Sequence, residues 1–294
     1  MSAPAPGTPE WQKIVTASKV AAIIGVSPWE SPYSIWQRMK GNLPPVETND
    51  AMRRGNYLEA GVIAWWKAQH PEYPLVEEQF YAHSAGFMPW AAATLDARAG
   101  TDYDVEPPED VILEVKTQSR MDDWGQPGTD EIPTHYLTQV YWQLAMCPEA
   151  KRAYVAVLGP FLEFSEYVVE RDDAIQADLI ARCQAFYESL AGDVPPALDD
   201  SVATFDTLKA LNPSIDKGES IDVGADLGIE YVASVTGAKQ AIARERAAKS
   251  AVLDGIGLAQ YATANGVRVA RRQANKYGVS LISTATLTDL ESAA

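Results

Sequence analysis

Two spacings of apolar residues alternate along this chain, one near 3.6 and one near 2, and they predict helices and strands in turn. Over residues 16–24, Val20, Ile23 and Ile24 share one face of a short helix that Gly25 stops. Ser31 and Pro32 open a second helix as N-cap and first residue, and Gly41 closes it. A third runs over 51–69 with Leu58, Val62, Trp65 and Trp66 on its apolar face. Strands are expected over 75–81, 90–95 and 111–117, parted by Gly, Pro and Asp. A polar loop over 119–133 leads to a helix over 134–146, ended near Pro148. A hairpin over 153–158 and 162–169 turns at Gly159-Pro160, and a helix over 172–190 sets Ile175, Leu179, Cys183, Phe186 and Leu190 on one side. Residues 192–224 are rich in Pro, Asp and Gly and read as a linker. Beyond them, one or two helices over 227–264 precede a terminal hairpin of 267–270 and 279–283.

This pattern predicts an α/β (α+β) fold with a central mixed sheet flanked by helices. Residues 1–195 form the core, 196–226 a linker or irregular segment, and 227–294 a helical C-terminal extension. An apolar fraction of 47%, with eight Trp and thirteen Tyr, is ample for a packed core. No apolar run reaches the roughly 20 residues that span a bilayer, and residues 1–13 lack the pattern of a signal peptide. The expected location is the cytoplasm, with no membrane partner. Two cysteines, Cys147 and Cys183, are too few for a four-cysteine zinc or iron–sulfur site. The three histidines show no zinc spacing, so any metal is a hard ion on oxygen ligands.

The net charge of −16 argues against a nucleic-acid binder until its distribution is considered. From Lys239 to Lys276 eight basic residues face two acidic ones, a net +6 that leaves −22 for the remainder.

Candidate chemistry centres on Glu114-Val115-Lys116, at the end of the apolar run 111–113. Residues two apart on a strand share a face, roughly 6–7 Å from each other. A carboxylate and an ammonium held there need partners, because burying an unpaired charge is costly. Asp96 follows another small-residue strand, and the two acids can converge on one divalent ion. Such an ion would lower the pKa of a bound water and neutralise charge on a phosphodiester. On spacing alone, a cross-strand salt bridge is the favoured account of Glu114 and Lys116. A second Glu-x-Lys, at Glu149 and Lys151, has no apolar strand before it and reads as a surface turn. Ser18, in the first turn of its helix, is placed either to cap that helix or to meet an anion.

In order, the chain holds Ile14-Val15-Thr16-Ala17-Ser18, Gly25-Val26-Ser27-Pro28-Trp29, Arg54-Gly55-Asn56-Tyr57-Leu58-Glu59, Thr94-Leu95-Asp96, Leu113-Glu114-Val115-Lys116 and Tyr136-Leu137-Thr138-Gln139. This series, over about residues 11–195, resembles the lambda exonuclease and YqaJ-like phage recombination nucleases of the PD-(D/E)XK superfamily. The resemblance implies a restriction-endonuclease-like core and a 5′–3′ exonuclease that digests linear double-stranded DNA, leaving 3′ single strands for recombination. It implies Mg²⁺, two ions, with Mn²⁺ able to substitute. Asp96 and Glu114 would ligate metal together with the Val115 carbonyl, and Glu59 would complete the shell of the second metal. Lys116 would act on the attacking water, with Gln139 positioning it. Ser18, with Lys13 as stand-in for the family's basic residue, would hold the DNA 5′-phosphate. Expected partners are DNA ends, a single-strand annealing protein and further copies of the chain. The alternatives are a non-catalytic DNA-binding or assembly protein of the same fold, or an endonuclease or repair nuclease. Leu95-Asp96-Ala97 departs from the family's Pro-Asp-Gly, losing a glycine turn but keeping the carboxylate.

Overall fold

The computed structural model describes residues 8–83, 88–102, 109–276 and 278–293. They fall into two compact units, 1–215 and 216–294. The first begins with α1 (Pro9–Gln12), β1 (Val15–Thr16), α2 (Ala17–Ile23), α3 (Pro32–Met39) and α4 (Asp50–Gln69). It continues with β2 (Leu75–His83), β3 (Ala91–Gly100), β4 (Asp110–Thr117), α5 (Thr134–Met146), β5 (Ala150–Leu158), β6 (Phe164–Glu170), α6 (Asp173–Ser189) and α7 (Val202–Leu211).

Local chemistry accounts for most helix ends. Gly25 and Gly41 follow α2 and α3 with φ of 83° and 84°, a conformation that costs glycine little. Ser31 caps α3 in a reciprocal capping box with Ser34. Asn49 and Asp172 cap α4 and α6 through their side chains.

The strands make one mixed six-stranded sheet. β4 and β5 run parallel, β5 and β6 antiparallel, and β3 is antiparallel to both β2 and β4. One face packs through Ala93, Leu95, Ile112, Val155 and Val157 against Val20 of α2, Val140 and Leu144 of α5 and Leu179 of α6. The other packs through Ala97, Ala99, Val111, Leu113 and Ala156 against Val62, Ile63 and Trp66 of α4. This is the expected central mixed sheet flanked by helices.

Several boundaries differ from the sequence reading. The 192–224 segment contains α7, because Ser201 caps a helix there and Thr204 binds Ser31 through paired hydroxyls 2.6 Å apart. Leu58 and Ile175 lie outside the core, exposed on their helices. Glu149 does sit in a turn, but Ala150 already opens β5, and Glu149 pairs with Arg98 at 3.1 Å.

The second unit holds α8 (Ala225–Ile256), β7 (Tyr261–Ala264), β8 (Val267–Asn275), β9 (Gly278–Ser283) and α9 (Leu287–Glu291). The expected hairpin exists as β8 and β9, and β7 adds a third strand where a helix end was expected. The extension therefore has one more strand than the helices and terminal hairpin expected of it. No helix among the described residues is long and apolar enough to cross a membrane.

Candidate active site

The site is built where β3 and β4 part. Ala92 pairs with Thr16 of β1 and with β2, while Ala97–Gly100 pair with β4 and with β2. A strand has two edges, so β1 and β4 share the edge opposite β2, and residues 93–96 have no strand partner on it among the described residues. Helix α5 fills part of that gap. Trp142 donates its indole N–H to the Ala92 carbonyl at 3.0 Å, and Gln143 Nε2 lies 3.5 Å from the Thr94 carbonyl.

Asp96 and Glu114 both lie inside strands, not at strand ends as expected, because Leu-Asp-Ala contains no glycine or proline to end the strand and β3 runs through to Gly100. What separates the strands is a reversal of faces. Leu95 packs under α5 and Ala97 under α4, although residues two apart normally share a face. The backbone therefore turns over at Asp96. Opposite it in β2, Gln79 has a φ of 56°. The Ala97–Leu113 pair ends the ladder, and Asp96 then faces Glu114 across the opening.

With no β3 partner left, the Val115 N–H donates to Asp96 Oδ2 at 2.7 Å. The N–H and C=O of one strand residue point the same way, so the Val115 carbonyl is aimed into the same opening.

Glu114 is only 2% exposed. Its Oε1 accepts from Lys116 Nζ and from Gln139 Nε2, the latter at 2.6 Å, and its Oε2 accepts from Gln143 Nε2 at 2.5 Å. Gln139 Oε1 in turn accepts from Lys116 at 3.3 Å. The Lys116 ammonium sits 4.9 Å from the centre of the Tyr136 ring. Glu59, on α4, accepts from Gln79 Nε2 at 2.5 Å.

Charge couples these groups. Burial, then the neighbouring Glu114, pushes Asp96 well above the ordinary carboxylate range, against the lowering effects of Lys116 and the Val115 N–H. Burial also raises Glu59; the Gln79 hydrogen bond opposes this and the Glu114 charge adds to it. For Lys116, burial favours the neutral amine, but Glu114 and Asp96 outweigh it and hold the ammonium above its usual value.

Asp96, Glu114, Val115, Lys116 and Gln139 thus meet, and Glu59 lies within electrostatic reach. Ser18 is exposed in α2, with its hydroxyl 3.3 Å from that of Thr16, and Lys13 is exposed after α1; neither has a described contact with this cluster. Three participants escaped the sequence reading. Gln143 looks like an apolar-face position on α5, Gln79 is the last of three consecutive polar residues in β2, and Tyr136 lies in the Tyr136-Leu137-Thr138-Gln139 stretch without a role of its own.

Two carboxylates and a backbone carbonyl are hard oxygen donors that suit Mg²⁺, which normally binds one or two carboxylates and keeps several waters. Among the described residues, no group of three or more His, Cys, Asp or Glu side chains is arranged to hold a metal without such help.

Residues 10–150 match the model of the YqaJ-like viral recombinase domain. The uncharacterized protein YqaJ of Bacillus subtilis (strain 168) is 27% identical over 235 residues, covering 74% of this chain and 66% of its own length. The match thus spans just under two-thirds of that relative. Among solved structures, an alkaline exonuclease from Laribacter hongkongensis aligns with a TM-score of 0.46 and 21% identity, over 69% of this chain and 96% of that one. A putative exonuclease from Eubacterium rectale aligns at 0.43 and 12% identity, over 76% of this chain and 97% of that one.

Proposed function

We propose, from the match of residues 10–150 to the YqaJ-like viral recombinase domain, that the protein is a metal-dependent exonuclease acting on linear double-stranded DNA. The observation that carries this reading is the convergence of Asp96, Glu114, Lys116 and Gln139 at the parting of β3 and β4. Asp96, Glu114 and the Val115 carbonyl would hold Mg²⁺, with Glu59 serving a second ion and Mn²⁺ able to replace either. When bound, the metal supplies acidity to water and positive charge to the phosphate.

The chain's own residues do the rest. Gln139 and Gln143 fix both oxygens of Glu114, so the carboxylate is oriented before substrate arrives. Lys116, held protonated, stabilises negative charge on the phosphate or orients the attacking water through its N–H groups. Asp96 and Glu114 together exceed the single ammonium beside them, which favours a site that recruits a further cation.

The reading extends to 5′–3′ polarity, 3′ single-stranded products for phage-type recombination, a 5′-phosphate contact through Ser18 and Lys13, and work beside a single-strand annealing protein in a homo-oligomer. The test is digestion of a linear duplex beside a covalently closed circle, with Mg²⁺ and with EDTA. Metal-dependent loss of the linear form alone supports the proposal. Rapid cutting of the circle would make the protein an endonuclease, and no digestion of either would remove the reading.

A further inference from the structure

Trp29 presents a large apolar ring to solvent beside the catalytic cluster, with 66% of its surface exposed. Exposed aromatic area of this size is unfavourable in water unless a ligand covers it. The ring is nevertheless held in place. Ser27 Oγ accepts from the N–H groups of Trp29 and Glu30, both at 3.2 Å, and the Ser31 capping box fixes the other side of the loop.

The ring also continues a row that starts at the catalytic lysine. Lys116 Nζ lies over Tyr136, the His135 ring is 4.1 Å from Tyr136, and Trp29 meets His135 edge-on at 4.8 Å and Tyr136 at 6.2 Å. Tyr136 is anchored by Gln118 Nε2 on its hydroxyl at 2.7 Å and by Trp124 at 5.6 Å. Burial and the Lys116 charge lower His135 below its ordinary value, so this flank is a neutral aromatic surface at pH 7. On its other side Trp29 borders a cleft of about 310 Å³ between α3 and α7, with Ser34, Arg38, Ala203 and Thr207 in its wall.

A preordered, exposed indole next to a phosphodiester-cleaving site matches one chemistry best. We propose that Trp29 is a stacking platform for a nucleobase of the strand being digested, close to the scissile phosphate, and that this subsite tolerates any base. The inference rests on the nuclease reading. Stacking on an aromatic side chain is sequence-tolerant because every base has a π-face.

Abasic substitution isolates the contact. Wild type, Trp29→Ala and Trp29→Phe are compared on duplexes carrying one abasic position, scanned along the first several nucleotides from each end. We expect Trp29→Ala to raise KM roughly tenfold with kcat within about twofold, and Trp29→Phe to retain most of the affinity. One abasic position should impose the same penalty on wild type and none beyond it on Trp29→Ala, which a merely structural role would not produce. Equal penalties on both proteins, or no change in KM, would overturn the proposal. Binding of the same DNAs to Lys116→Ala protein keeps the two readings separable. If wild type digests nothing, the nuclease reading fails, and the stacking proposal then stands only if Trp29→Ala still weakens binding in an abasic-sensitive way; if it does not, the proposal fails too.

Discussion

Single side chains at the β3–β4 opening carry the chemistry of the proposed reading, and the burial of Asp96 there opposes the stability of the fold. Asp96 is buried beside Glu114, so its ionised form is disfavoured in the folded chain. A carboxylate raised in this way loses stability as pH rises from the ordinary value of 3.8 toward its own, and the penalty is complete only above that raised value. Asp96→Asn keeps an acceptor for the Val115 N–H and removes the charge. Metal-free thermal melts at pH 7.5 should show it more stable by about 1 kcal/mol, a rise of a few degrees, with the gain vanishing below pH 4. Its digestion of DNA should be lost. Lys116→Ala should likewise abolish digestion while circular dichroism reports an intact fold. For Gln143, which is fully buried and bound to Glu114, Gln143→Leu strands one carboxylate oxygen without a donor. We expect at least a tenfold lower kcat together with a higher Mg²⁺ requirement, measured by metal titration of initial rates. The Glu-x-Lys and its partner Asp were legible in the sequence because an apolar run ending in charge is costly and therefore informative. The salt bridge that the spacing alone suggested exists between Glu114 and Lys116, within the larger cluster. Gln143 and Gln79 were not legible, because an amide side chain gives no sign of its partner until the fold brings the two together.

Among the elements, the kink shared by β2 and β3 decides where the acids point. Gln79, at a φ of 56°, is in a conformation that favours glycine over residues with a Cβ. Gln79→Gly should therefore leave the melting temperature unchanged or higher, while Gln79→Val should cost about 1–2 kcal/mol in denaturant unfolding. Equal stability of the two variants would contradict the assigned backbone strain. Helices and most strands were readable from periodicity and caps, as at Ser31 and Gly41. The opening was not, because Asp96 sits within an unbroken strand pattern and only the packing of Leu95 and Ala97 on opposite faces reveals the turn-over. Helix α7 was hidden for a related reason: its segment has a turn-rich composition, and its packing depends on a hydroxyl pair 173 residues apart in sequence.

Across the whole molecule, charge and chain organisation diverge. Residues 216–294 hold nine basic and nine acidic residues, so the entire −16 resides in 1–215, the unit that contains the site. Limited proteolysis should cut first between α7 and α8, over residues 212–224, and release a fragment ending near 215 that retains its secondary structure. The central claim is that Asp96, Glu114 and Lys116 act together on a divalent ion to hydrolyse DNA from an end. Its most direct measurement is time-resolved digestion of a linear duplex, labelled separately at each 5′ and 3′ end, by wild type and Lys116→Ala, with Mg²⁺ and with EDTA. The account predicts early release of the 5′ label by wild type with Mg²⁺ alone, and no release by Lys116→Ala or in EDTA. Undiminished release by Lys116→Ala, or release in EDTA, would contradict it.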